Sequence, residues 1–177
     1  MLSGKTMAML GVAGLLTMPM TTRAQTGGAG AVTAACGDAT IQFSVKLDRR
    51  PQPGAVPAGQ ALVYFIEKDI GVFFPPTMRV SADGRWIGAT HGAGYFFVAV
   101  EPGVHHLCAM AQSDEPHIAL AHFTARAGET YYFEVKAVSG TRGSGALWTD
   151  RSLMALDSDE GALLVQDDPY STARVKK

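Results

Sequence analysis

After residue 40, every apolar run in this chain stops within about ten residues at a glycine, a proline or an Asp-Gly pair, a rhythm that leaves room for strands and almost none for helices. Residues 60–67 (QALVYFIE) and 94–100 (GYFFVAV) are continuous runs rich in β-branched and aromatic side chains, the pattern of strands covered on both faces. Residues 40–46 (TIQFSVK) and 77–82 (TMRVSA) alternate instead, placing Ile41, Phe43 and Val45 on one face and Met78, Val80 and Ala82 on another. Asp83-Gly84 follows immediately and predicts a tight hairpin turn, because both residues tolerate positive φ, with residues 85–88 as the return strand. Glu101-Pro102-Gly103 and Ala127-Gly128-Glu129 predict further turns, flanked by strands over 104–110, 118–126 and 130–138. Three prolines in residues 49–59 make an extended connector. The expectation is an all-β antiparallel sandwich of about seven to eight strands.

The C-terminal part departs from this rhythm. Residues 139–149 (SGTRGSGALWT) read as a Gly/Ser-rich loop carrying Trp148, and residues 151–156 as a last strand. Asp157 with Glu160 three positions later is a capping signal, and the apolar residues 162–165 behind it predict one short helix. Residues 169–177 read as a polar tail. With no internal repeat and no break in composition, the chain divides into residues 1–24, a leader over 25–39, a single sandwich domain over 40–168, and that tail.

The first 24 residues read as an export signal. Lys5 gives a basic start, residues 7–20 an apolar stretch, and Thr22 and Ala24 small residues before a cleavage point. The stretch is too short and interrupted for a membrane span, and no later run reaches the required length, so no transmembrane segment is expected in the mature chain. What remains, about 150 residues, suffices for one core without a metal. The expected location is periplasmic or secreted.

The charge balance excludes one class of partner. Fifteen basic against sixteen acidic residues give a net charge of −1, and the basic residues are scattered. That is no footprint for nucleic acid. The two cysteines, Cys36 and Cys108, favour a disulfide in an oxidising compartment; separate buried thiols, or a lipid-modified Cys36, are the other readings. Asparagine is absent, so there is no N-glycosylation acceptor.

In order along the chain stand ALVYF at 61–65, DGRWIG at 83–88, GYF at 94–96, PGVHHL at 102–107, AGETYY at 127–132 and DEG at 159–161. This series resembles the bacterial domain-of-unknown-function 2846 family, small secreted or envelope-associated β proteins, over residues 60–165. The middle portion is similar to the PEGA-type module. Both resemblances imply a β fold and an envelope location, and neither implies an activity, a cofactor or a catalytic residue.

Of the residues able to carry chemistry, the histidines come first. His105, His106, His117 and His122 lie close in sequence, and imidazole suits zinc or copper. Adjacent residues on a strand point to opposite faces, however, so His105 and His106 cannot both join one site, and a disulfide would remove Cys108 as a ligand. HExxH and CxxC spacings are missing. The cluster formed by Asp157, Asp159 and Glu160 departs from the calcium-loop rule and fits the positive end of a helix dipole. There is no GxSxG elbow, and Gly92-Ala-Gly94 lacks the rest of a dinucleotide fingerprint. Among the aromatics (Phe73, Phe74, Trp86, Tyr95, Tyr131, Tyr132 and Trp148), Trp86 beside the turn and Trp148 in the loop are hardest to place in a sandwich core. The expectation is a non-catalytic binding or structural accessory of the cell envelope without a cofactor. Its partner would be an envelope protein or glycan, with Trp86, Trp148, His105 and His106 as a binding surface. Pairing through an exposed sheet edge is a further route to a partner. The alternative is a metal-binding protein or metal-dependent hydrolase using the His105–His122 region.

Overall fold

A computed structural model describes residues 36–50, 52, 54–68, 75–112, 118–141 and 147–177, with the side chains of 137–150 left out. The residues read as an export signal, most of the leader, Phe73, Phe74 and His117 therefore lie outside the described residues, as does the side chain of Trp148. The described chain is a two-layer β-sandwich with one short helix.

One sheet has six strands in the order β1 (Phe43–Asp48), β10 (Tyr170–Val175), β5 (Gly94–Val100), β2 (Ala61–Glu67), β8 (Thr130–Thr141) and β9 (Leu147–Leu156). The other has four, in the order β4 (Arg85–His91), β3 (Thr77–Ala82), β6 (Gly103–Ala111) and β7 (Ile118–Ala125). Pairing is antiparallel except for β2 with β8 and a single parallel bridge from Tyr170 on β10 to Tyr95 on β5. No helix among the described residues is long and apolar enough to cross a membrane.

The continuous apolar run at 61–67 becomes the centre of the large sheet, with every residue of β2 buried. Period two divides it. Val63 and Phe65 face Met78, Val80, Leu107 and Ala109 of the small sheet in the main core, where Phe65 stacks between Phe96 and Phe133. Leu62, Tyr64 and Ile66 face the other way and, with Tyr95, Phe97 and Tyr132, form a second apolar layer. Two coverings protect it. The proline connector is tied down where the Tyr64 hydroxyl accepts from Gly54 N and the Tyr95 hydroxyl from Gln52 N, each at 2.9 Å. The helix α1 (Ser158–Asp167) lays Leu164 and Val165 on the rest. Its N-cap is Asp157, whose side chain accepts from Glu160 N at 3.0 Å, as the capping signal predicts.

The expected hairpin is present: Asp83 and Gly84 have φ of 51° and 74°, the double positive φ that joins twisted strands. Three expectations need correction. The described residues hold ten strands rather than seven or eight. Residues 170–175, read as polar tail, form β10, because β1 supplies a full antiparallel ladder from Phe43↔Val175 to Asp48↔Tyr170. Residues 139–141 and 147–149, read as loop, extend β8 and β9 by pairing with each other, which places Trp148 opposite Gly140 on a strand. In the first case a ladder with a distant partner, and in the second a hairpin ladder a few positions away, overrides weak local propensity.

Candidate functional site

The Asp83-Gly84 turn organises the histidine region. Asp83 Oδ1 accepts from His106 N at 2.9 Å, and Oδ2 lies 2.7 Å from His105 Nδ1. The other ring nitrogen of His105 lies 2.7 Å from the Glu101 carbonyl oxygen. Both nitrogens are therefore engaged, and the ring sits 5.6 Å from Phe123 at one end of the core. Burial opposes the charge on His105, but the Glu101 carbonyl and the Asp83 carboxylate outweigh it and raise the pKa above the ordinary 6.5. Burial likewise opposes charge on Asp83, and the donors His106 N and His105 overcome it to lower that pKa. His105 is an engaged imidazole closing a turn.

His106 points to the other face and is exposed, as is His122 directly opposite on β7. Strand alternation had already separated the neighbouring histidines; the register that brings His122 to His106 comes only from the fold. Among the described residues, no group of three or more His, Cys, Asp and Glu side chains is assembled in a way that could hold a metal ion.

Cys36 and Cys108 lie at disulfide distance with their Cα atoms 5.3 Å apart, inside the range a bridge requires. The pair is fully buried and packs with Met110, Trp86 and Ile118 on the outer face of the small sheet. A bulge between β3 and β4 sets Trp86 opposite Ser81, whose other neighbour is Cys108, and the indole packs against the cysteine pair. Its Nε1 donates to the Asp38 carbonyl at 2.7 Å, and the Arg79 guanidinium lies 4.6 Å over the ring. Arg79 in turn donates to the carbonyls of Ala39 and Ile41. Burial lowers its pKa, partly offset by the Asp38 charge. Trp86 thus clamps the segment after Cys36 to the sheet.

Trp86 also borders a cleft of about 510 Å³ where β10 diverges from β5 and turns toward β4. Phe43, Ile87, Phe97 and Tyr170 supply apolar lining, and Asp38, Arg85 and Thr172 polar rims. On one side stands β4, which among the described residues is a sheet edge without a partner strand and whose middle residues Gly88–Thr90 are buried. Aromatic walls, a few polar groups and an edge strand alongside suit an extended ligand more than a small reacting molecule. Of the four residues read as a binding surface, Trp86 lies at this cleft, His105 serves the turn, and His106 stands on the far side of its strand from His105.

Glu67 is a buried carboxyl that the sequence did not single out. It ends β2 with 5% exposure and accepts from the Thr90 hydroxyl. Burial pushes its pKa up to about 8, against the lowering effect of that hydrogen bond. A Glu closing an apolar run reads as the polar end of a strand, so no local signal marks it.

No family model, curated protein or solved structure matches this chain.

Proposed function

We propose that this protein is an exported, non-catalytic binding accessory of the bacterial cell envelope, periplasmic or secreted. Its recognition surface would be the cleft between β4 and β10, and its partner an envelope protein or glycan. The observation carrying this reading is the cleft itself: aromatic lining, few charges and beside it a strand edge that is unpaired among the described residues. The export-type N-terminus, the buried disulfide-distance pair and the resemblance to the domain-of-unknown-function 2846 family support the location. An edge strand next to apolar walls favours a protein segment over a sugar chain, because backbone pairing adds affinity that a glycan cannot use.

The experiment changes bulk and charge at the rim without touching the clamp. Thr172→Arg and Arg85→Glu alter exposed positions that border the cleft. Photo-crosslinking from position 172 in native cells is expected to yield one discrete envelope adduct, lost on Arg85→Glu with unchanged thermal stability. A crosslinking pattern indifferent to Arg85→Glu, or a chain retained in the cytosol with its leader attached, would overturn the reading.

A further inference from the structure

His106 and His122 occupy directly opposite positions of the antiparallel β6–β7 ladder, with ring centroids 6.4 Å apart and planes inclined by 37°. Side chains at opposite ladder positions start from Cα atoms only about 5 Å apart, so the backbone has already brought the two imidazoles together. Their neighbours on the same face are Val104 and Thr124 on one side and Cys108 and Leu120 on the other. None carries a charge. Val104 and Leu120 are 61% and 60% exposed, which leaves the approach to both rings open. Among the described residues neither ring is held by a carboxylate, in contrast to His105 with its Asp83 partner.

Size can be checked against coordination chemistry. With metal–nitrogen bonds near 2 Å, two imidazoles on one tetrahedral ion hold their centroids about 5 Å apart. The observed 6.4 Å therefore needs roughly an ångström of closure. Two exposed rings supply that by rotating about their own side-chain bonds, with no backbone movement. His105 cannot join them, since it points to the opposite face and both its nitrogens are engaged. Cys108 cannot either, because its sulfur is bonded to Cys36.

We propose that His106 and His122 form a two-histidine chelate for a divalent transition-metal ion, with the remaining coordination positions open to water or an outside ligand. Imidazole pairs of this kind accept copper, nickel and zinc, and the usual order of first-row affinities places Cu²⁺ highest. The inference is independent of the cleft, whose lining includes neither histidine.

The test is titration of the full chain, without an affinity tag, by CuCl₂ and separately by ZnCl₂, followed by calorimetry and by electron paramagnetic resonance of the copper form. One ion per chain is expected, copper tighter than zinc, with two nitrogen ligands in the copper spectrum. His106→Ala and His122→Ala should each weaken copper at least tenfold, and the double variant little further, because losing either ring destroys the chelate. His91→Ala should change nothing. Both substituted positions are exposed, so near-ultraviolet dichroism and thermal unfolding should stay as in the parent. Copper binding of undiminished affinity in the double variant, or losses of twofold or less in the single ones, would overturn the proposal.

Discussion

Asp83 holds His105 at 2.7 Å through Oδ2 while its Oδ1 accepts from the next residue's backbone, so one carboxylate fixes both the turn and the ring beside it. Consecutive histidines are thereby given different work. His105 is built into the end of the core, and His106 is left facing solvent.

The pair predicts a plateau of stability. His105 has a raised pKa, so its contribution is complete below its ordinary 6.5 and is lost as pH rises through the folded value. Asp83 has a lowered pKa, so its contribution is present above 3.8 and is lost as pH falls through the folded value. Asp83→Asn keeps a residue that tolerates positive φ and removes the charge. It should cost about 1 kcal/mol between those limits. Thermal unfolding from pH 3 to 9 checks this, and the variant should lose the decline just above 6.5. In the same variant an NMR titration should find the His105 pKa lowered.

Glu67 gives the opposite slope to a normal carboxylate. Its folded pKa of about 8 lies above the ordinary 4.5, so its protonated form is favoured by folding. Stability from this group is full below 4.5 and falls as pH rises to about 8, by at most about 5 kcal/mol. Glu67→Gln mimics the neutral form. It should be more stable than the parent at pH 8.5, equal to it at pH 4, and free of the slope between. Chemical denaturation at those two values decides it.

Removing the bridge should loosen one place more than the rest. Cys36→Ser with Cys108→Ser opens a connection spanning 72 positions, worth up to about 4 kcal/mol in the chain-entropy view. The segment that Trp86 and Arg79 clamp would lose its covalent end. The expected result is a lower midpoint of unfolding together with a red shift of tryptophan emission. An unchanged midpoint after both substitutions would count against the bridge.

Gly161 tests how closely α1 sits on its sheet. A Cβ at this position would meet Cγ of Tyr132 at 2.2 Å. Alanine improves helix propensity by about 1 kcal/mol, but the overlap with a packed ring costs about 1–3 kcal/mol. Gly161→Ala should therefore destabilise the protein despite its better helix former. Differential scanning calorimetry reads the sign directly.

Local signals carried much of this architecture in the sequence. Asp83-Gly84 wrote its hairpin, Asp157 with Glu160 its helix start, and residues 61–67 the middle of a sheet, because each depends on neighbours within a few positions. Strand alternation also separated His105 from His106. What stayed hidden depends on partners far along the chain. β10 is a strand because β1 lies beside it, and the bulge that sets Trp86 opposite Ser81, beside Cys108, follows from how β3, β4 and β6 align. The His106–His122 juxtaposition and the cleft are products of register and divergence, which no window of residues encodes.

The pairing of β1 with β10 also dictates a timetable. A chain released from its N-terminal end, whether from a ribosome or through a membrane pore, presents Phe43–Asp48 long before Tyr170–Val175 has emerged. Until then β5 has no strand on the side that β10 takes, and β10 is what joins β1 to the rest of the large sheet. A chain cut short before Tyr170 would keep that margin of β5 open for quality-control proteases to find.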